Sequence, residues 1–184
     1  MFMFLIPLLV GFFFNSLSAF TTYFSKRLGE RNGRLVCILL RDVLGIPVWV
    51  TGYAMAALTP SPNLIPTTLA SSIFAWILIL AGSVIIIIGL LSLRWKAAAP
   101  SLKDSLVTSG IYAHIRHPLY SGMLLQLLGL AVYLPQGPML VACILGVCWV
   151  LLQARLEELD LLQRLPAYQD YMQRVPRFLP RFTR

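Results

Sequence analysis

Long apolar runs separated by short polar stretches organise the chain, and their lengths suit helices that cross a bilayer. The first run, about Met1 to Phe24, ends at a basic loop, Ser25 to Arg34. The second, about Leu35 to Leu58, carries Arg41 and Asp42 in its first half. A turn containing Pro60, Pro62 and Pro66 follows. The third run, about Thr67 to Leu93, is the clearest, with Val84-Ile85-Ile86-Ile87-Ile88 at its heart. A polar stretch, Arg94 to His117, precedes two shorter runs, Pro118 to Leu134 and Met139 to Ala154. Pro135-Gln136-Gly137-Pro138 between them is a strong turn signal. These last runs have 17 and 16 residues. At about 1.5 Å per residue each falls short of a hydrocarbon core of about 30 Å, and the tight turn predicts that they pair as a helical hairpin. The fifth helix is expected to continue past Ala154, because no breaker occurs before Pro166.

The fold expected is therefore all-α: an integral membrane helical bundle of about five transmembrane helices with a soluble-facing layer at the cytoplasmic face, the place where the resemblance described below implies cofactor binding. It reads as one domain over 1–184. Residues 1–93 supply the first three membrane helices, and 94–184 supply a polar loop, the hairpin and a cytoplasmic tail. The first run lacks a basic flank and an A-x-A-like site, so it is expected to be a retained helix and not a cleaved signal.

Composition agrees. The chain is 58% hydrophobic and 12% charged, against about 25% charged in a soluble domain. A net charge of +8 could suit nucleic acid. Its distribution argues for an anionic membrane surface and against nucleic acid, because the basic residues sit between apolar runs. Of the 15 Lys and Arg residues only Arg41 lies inside a run. The others fall in Ser25–Arg34, Arg94–His117 and the tail from Arg155, whereas Thr59–Pro66 and Pro135–Pro138 carry no charge. The positive-inside rule then puts the three basic segments in the cytoplasm, the N-terminus outside and the C-terminus inside. Five spans satisfy that parity. Cys37, Cys143 and Cys148 all lie in apolar runs and form no CxxC, so they are expected to be small buried hydrophobes.

Candidate chemistry concentrates around the start of the fourth run. Pro118 suits the first turn of a helix, where its missing N–H has no helical partner. Arg116 and His117 would then flank free N–H groups at the positive end of the helix dipole, an arrangement that predicts an anion site. Just past the fifth run stand Arg155, Glu157 and Glu158. If the hairpin brings these ends together, one supplies cations and the other carboxylates, which is what a zwitterionic amino acid head group needs. His114 and His117 share no helix, because Pro118 disfavours one through both, and no third ligand is evident, so no metal site is expected. No Gly-rich dinucleotide turn and no P-loop are present. Arg41 and Asp42 have two readings: intramembrane charges are costly and often functional, yet Arg41 is near enough to a membrane face to snorkel.

Leu106-Val107-Thr108-Ser109-Gly110-Ile111-Tyr112, Arg116-His117-Pro118-Leu119-Tyr120-Ser121-Gly122, and Glu157-Glu158 with Leu161 resemble the isoprenylcysteine carboxyl methyltransferase family. They resemble the related phospholipid N-methyltransferases more loosely. The tail, Tyr168, Tyr171 and Val175-Pro176-Arg177-Phe178-Leu179-Pro180, is also similar, so the resemblance covers roughly residues 100–180. It implies S-adenosylmethionine-dependent methyl transfer to a lipophilic acceptor. By position it implies that Asp104, Ser105, Leu106, Val107, Tyr112, Arg116, His117, Pro118, Leu119, Tyr120, Glu157 and Glu158 bind the cofactor. Glu157 would meet the methionyl amino group, and Tyr112 and Tyr120 would pack along the adenosine. The family's arginine one helical turn before the Glu pair is Gln153 here. Arg155 is the nearby arginine and the candidate catalytic residue, although residues two apart do not share a helix face. Pro166 stands where the family commonly has glycine. Two other classes compete: a nicotinamide-dependent membrane reductase with a similar RHPxYxG-like run, and a non-catalytic membrane protein.

Overall fold

The computed structural model describes residues 2–93 and 105–181. The first part of the polar stretch, Asp104 included, lies outside the described residues. Eight α-helices appear among them: α1 Leu5–Ser18, α2 Thr21–Leu28, α3 Glu30–Ile38, α4 Ile46–Leu58, α5 Leu69–Leu93, α6 Pro118–Tyr133, α7 Gly137–Arg164 and α8 Tyr168–Arg174. A π-helical segment, Leu39–Gly45, joins α3 to α4, and a short 3₁₀ turn covers Gly110–Ala113. The fold is the all-α membrane bundle that the apolar runs imply.

Three continuous helical stretches are long and apolar enough to cross a bilayer: Glu30–Leu58, Leu69–Leu93 and Gly137–Arg164. The expected first span is not one straight helix. It bends by 64° between α1 and α2. A group distant in sequence meets the chain just after the bend. The Thr22 N–H at the start of α2 donates to Asp160 Oδ1 of α7 at 2.8 Å, which satisfies an N-terminal donor after the break. The basic loop expected at Ser25–Arg34 is also largely helical. It is interrupted at Gly29, whose φ of +81° is a conformation that glycine adopts without a Cβ penalty. The second span therefore begins at Glu30 and runs through the π-helical segment. Helix α6, with 16 residues, is shorter than a span usually needs. It packs along α5.

Local signals set the remaining boundaries. Thr68 and Ser71 cap α5 reciprocally, each side-chain oxygen accepting from the other's N–H, at 2.9 and 3.1 Å. Pro118 occupies the first turn of α6, and α7 passes Ala154 and ends at Arg164, two residues before Pro166. The two uncharged connections meet at one end of the bundle, where the Leu64 N–H donates to the Pro135 carbonyl at 2.8 Å.

The core between α1, α4 and α7 is aromatic. Phe12 stacks on Trp149 at 4.6 Å, and Trp149 Nε1 donates to Ser16 Oγ at 3.1 Å. Outward-facing Ile73, Phe74, Ile77, Leu80, Val84 and Ile87 leave α5 with a broad apolar surface that suits lipid and not water. Close approach of α5 and α6 depends on Gly82 and Gly122. A Cβ on Gly82 would sit 2.5 Å from the Gly122 carbonyl oxygen. Small residues at such crossings let membrane helices pack backbone to backbone, and Gln126 Nε2 adds a bond to Ser83 Oγ at 2.9 Å. Gly82→Val should therefore destabilise the bundle by about 1–3 kcal/mol, read as a lower melting temperature in detergent. Ser83→Ala should cost only about 0.6 kcal/mol.

Candidate functional site

A cavity of about 670 Å³ opens at the end of the bundle opposite the paired loops. Its walls come from the bend between α1 and α2, the π-helical segment, the end of α5, the stretch from Ser105 to Tyr120, the last turns of α7, and α8. Of the residues singled out in the sequence, Ser105, Leu106, Val107, Tyr112, Arg116, His117, Leu119, Tyr120 and Glu157 line it. Residues 41 apart in sequence come together here, because the α6–α7 hairpin brings the start of one helix beside the end of the other.

Glu157 and Glu158 have different roles. Successive residues on a helix project about 100° apart. Glu157 faces the cavity, its side chain 36% exposed, and accepts a hydrogen bond from Tyr120 Oη. Glu158 is fully buried behind the wall. Its carboxylate accepts from Arg177 Nε at 3.0 Å and from Arg177 Nη2, and lies 3.2 Å from His117 Nε2 and 3.1 Å from Arg116 Nη1. Three polar side chains compensate a charge that would otherwise be very costly to bury. Glu158 is thus an organising group and not a wall residue. Pro118 is likewise absent from the lining; it is buried at the start of α6.

The tail packs against the entry to α6. The N–H groups of Arg116 and His117 are not open to a ligand. They donate to the carbonyls of Pro176 and Arg177 at 2.9 and 3.0 Å. Ser121 Oγ donates to the Phe178 carbonyl at 2.7 Å, so residues 176–178 form a strap across the start of α6. The Arg116 side chain lies beside these amides. It lines the cavity and is 9% exposed, and neither Nε nor Nη1 has a hydrogen-bond partner among the described residues. Nη1 is near Glu158 but misses hydrogen-bond geometry.

Arg155 does not line the cavity. Its side chain is 52% exposed and comes no closer than 3.9 Å to Glu158, as its two-residue offset from Glu157 implies. Gln153, one turn before Glu157, is buried and donates to the Asn15 carbonyl at 3.4 Å and to Glu157 at 3.5 Å. The wall residues that the motifs did not indicate include Thr21, Asp160 and Arg164, with Arg41 and Asp42 from the π-helical segment. Charges inside an apolar run were the sequence signal for Arg41 and Asp42. Asp160 and Arg164 gave no signal beyond their i,i+4 spacing, and they pair at 3.0 Å.

Tyr171 Oη donates to the Tyr112 carbonyl at 2.6 Å and fixes the 3₁₀ turn against α8. Burial pushes the phenols of Tyr112, Tyr168 and Tyr171 up, Tyr171 to about 12. The carboxylates of Glu157 and Glu158 add to the rise at Tyr112 and Tyr168 respectively.

The fold and cavity define a polytopic membrane protein with a chamber of mixed charged and apolar lining at one end of the bundle. Residues 70–168 match the phospholipid methyltransferase family, over half of the chain, and the protein belongs to that family. An 83-residue segment is 35% identical to the cobalt-zinc-cadmium resistance protein CzcN of Cupriavidus metallidurans, covering 44% of this chain and 38% of that one. The chain thus spans well under half of that relative's length. No solved structure matches. Among the described residues, no three His, Cys, Asp or Glu side chains converge as a metal site requires.

Two outcomes test this organisation. Glu158→Gln leaves Arg116 buried without a carboxylate and should cost about 3–5 kcal/mol, measured by thermal unfolding in detergent; Glu157→Gln should cost far less. The raised phenols contribute stability that is complete below their unfolded value of about 10 and is lost as pH rises through the folded values. The melting temperature should therefore fall from about pH 10 upward, and Tyr171→Phe should flatten that fall.

Proposed function

We propose that the protein transfers a methyl group from S-adenosylmethionine to a lipophilic acceptor at the cytoplasmic face of the membrane. Its family comprises membrane methyltransferases, and use of that cofactor is general to them. The observation that carries the reading for this chain is that Arg116 and Glu157 both line the cavity. Arg116 Nε and Nη1 lack hydrogen-bond partners among the described residues, and an anion would supply one. A carboxylate facing the same space calls for a cation. An amino acid head group supplies both.

In this reading Arg116 holds the methionyl carboxylate, Glu157 holds the amino group, and Tyr120 orients Glu157. Ser105, Leu106, Val107, Tyr112 and Leu119 surround the rest of the cofactor. His117 and Glu158 act indirectly by fixing Arg116. When bound, the cofactor supplies a methyl group on a sulfonium that leaves as a neutral thioether. The chain's own work is then to position the acceptor and exclude water. A volume of about 670 Å³ lies within the range of small-molecule sites. The basic segments put the cavity on the cytoplasmic side, with the N-terminus outside and the C-terminus inside. Arg155 is not needed for this assignment.

Calorimetry of S-adenosylmethionine with detergent-purified protein tests it. Saturable binding is expected, weakened at least about tenfold in Glu157→Gln and in Arg116→Gln. Arg116→Gln is read only if its thermal unfolding stays cooperative. Absence of binding to folded wild-type protein would overturn the proposal.

A further inference from the structure

The cavity has a second polar pole that the cofactor reading does not use. Arg41 and Asp42 lie inside an apolar helix and line the cavity wall. Arg41 is six residues past Leu35, about 9 Å into the apolar run at ~1.5 Å per residue. They sit on the π-helical segment Leu39–Gly45. Single π-helical turns shift the side chains that follow and occur often at functional sites. Arg41 Nε and Nη2 donate to Asp42 Oδ1 and Oδ2 at 2.8 and 3.0 Å, a two-pronged contact that fixes the plane of the guanidinium. A charge serving only as a membrane anchor would run along the outer surface toward water. This one is two-pronged to its neighbour on a cavity wall and lies within electrostatic reach of Glu157 and Tyr120.

The cavity wall also includes apolar residues of the membrane-spanning helices. Leu90 and Ile46 line it and are 42% and 37% exposed. An acceptor with a hydrocarbon tail can therefore leave the tail in the bilayer while its head enters beside Arg41. The α7 position nearest Glu157 on the preceding turn, Gln153, is neutral and engaged with Asn15, so it supplies no cation to that head.

We propose that Arg41, held by Asp42, binds an anionic oxygen group, a carboxylate or phosphate, on the lipophilic acceptor and so selects which acceptor is positioned for methylation. Arg41 is a specificity-determining residue and Asp42 a positioning residue. The identity of the second ligand as a methyl acceptor rests on the function proposed above; the anion site itself does not.

The test is native mass spectrometry of detergent-purified protein titrated with palmitate, which carries a carboxylate, and with phosphatidic acid, which carries a phosphate. S-adenosylmethionine affinity is measured in parallel. Wild-type protein should retain one equivalent of at least one probe, and the preferred probe identifies the anion. Arg41→Gln should weaken that binding roughly tenfold, Arg41→Lys less, and Asp42→Asn by an intermediate factor. S-adenosylmethionine affinity should stay within about threefold in all three, since the cofactor's charged partners lie on other elements. Failure of wild-type protein to retain either probe overturns the inference. So does Arg41→Gln that binds them as wild type does, or that loses cofactor and probe together. If probes bind in an Arg41-dependent way and the cofactor does not bind, the anion site stands and the methyltransferase reading fails.

Discussion

One buried carboxylate holds the working end of this molecule together. Glu158 has no exposure to solvent, and it stays ionised in that position only if cations and donors surround it. Arg116 and His117 come from the entry to α6, and Arg177 from the tail. Two segments that share no local structure are therefore committed to one point on α7. The tail strap follows from this, because bringing Arg177 to Glu158 lays residues 176–178 across the start of α6. The N–H groups of Arg116 and His117, just before α6, then donate to strap carbonyls. The Arg116 side chain lines the cavity, with Nε and Nη1 lacking hydrogen-bond partners among the described residues.

The adjacent carboxylate shows how one helix supplies both structure and chemistry. A rotation of about 100° per residue puts Glu158 into the ionic cage and leaves Glu157 on the cavity wall. The cage stiffens the backbone that presents Glu157, while Tyr120 fixes its side chain from α6. A site built this way has its first contacts held by a second layer, which is what precise positioning of two substrates requires.

The bilayer constrains the rest. Every backbone group within hydrocarbon must be satisfied inside the protein, so the chain can make a cavity only by distorting helices, not by opening loops. It does so twice. The bend between α1 and α2 is stabilised by Asp160, and the π-helical segment displaces Arg41 and Asp42 from an otherwise regular helix. Both distortions form part of the cavity wall.

The apolar runs, the prolines that punctuate them and the α6–α7 hairpin were legible in the amino-acid sequence. So were most of the residues on the α6 side of the cavity. Hydropathy, helical period and the fixed φ of proline are local properties that need no distant partner. Pro118 starts a helix and Pro166 follows the end of one for reasons within a few residues of each. The bend at Ala19–Phe20 was not legible, since the group that caps α2 lies 138 residues away. Nor was the division of labour between Glu157 and Glu158, the outward turn of Arg155, or the strap that pairs with the Arg116 and His117 amides just before α6. Each depends on which face of a helix meets which segment of the folded chain. The sequence alone thus determined that helices form in a membrane and where their polar ends lie; only the tertiary structure decided which charges are buried as mutual partners and which face the cavity, because burying a charge is tolerable only where the fold delivers its counter-charge.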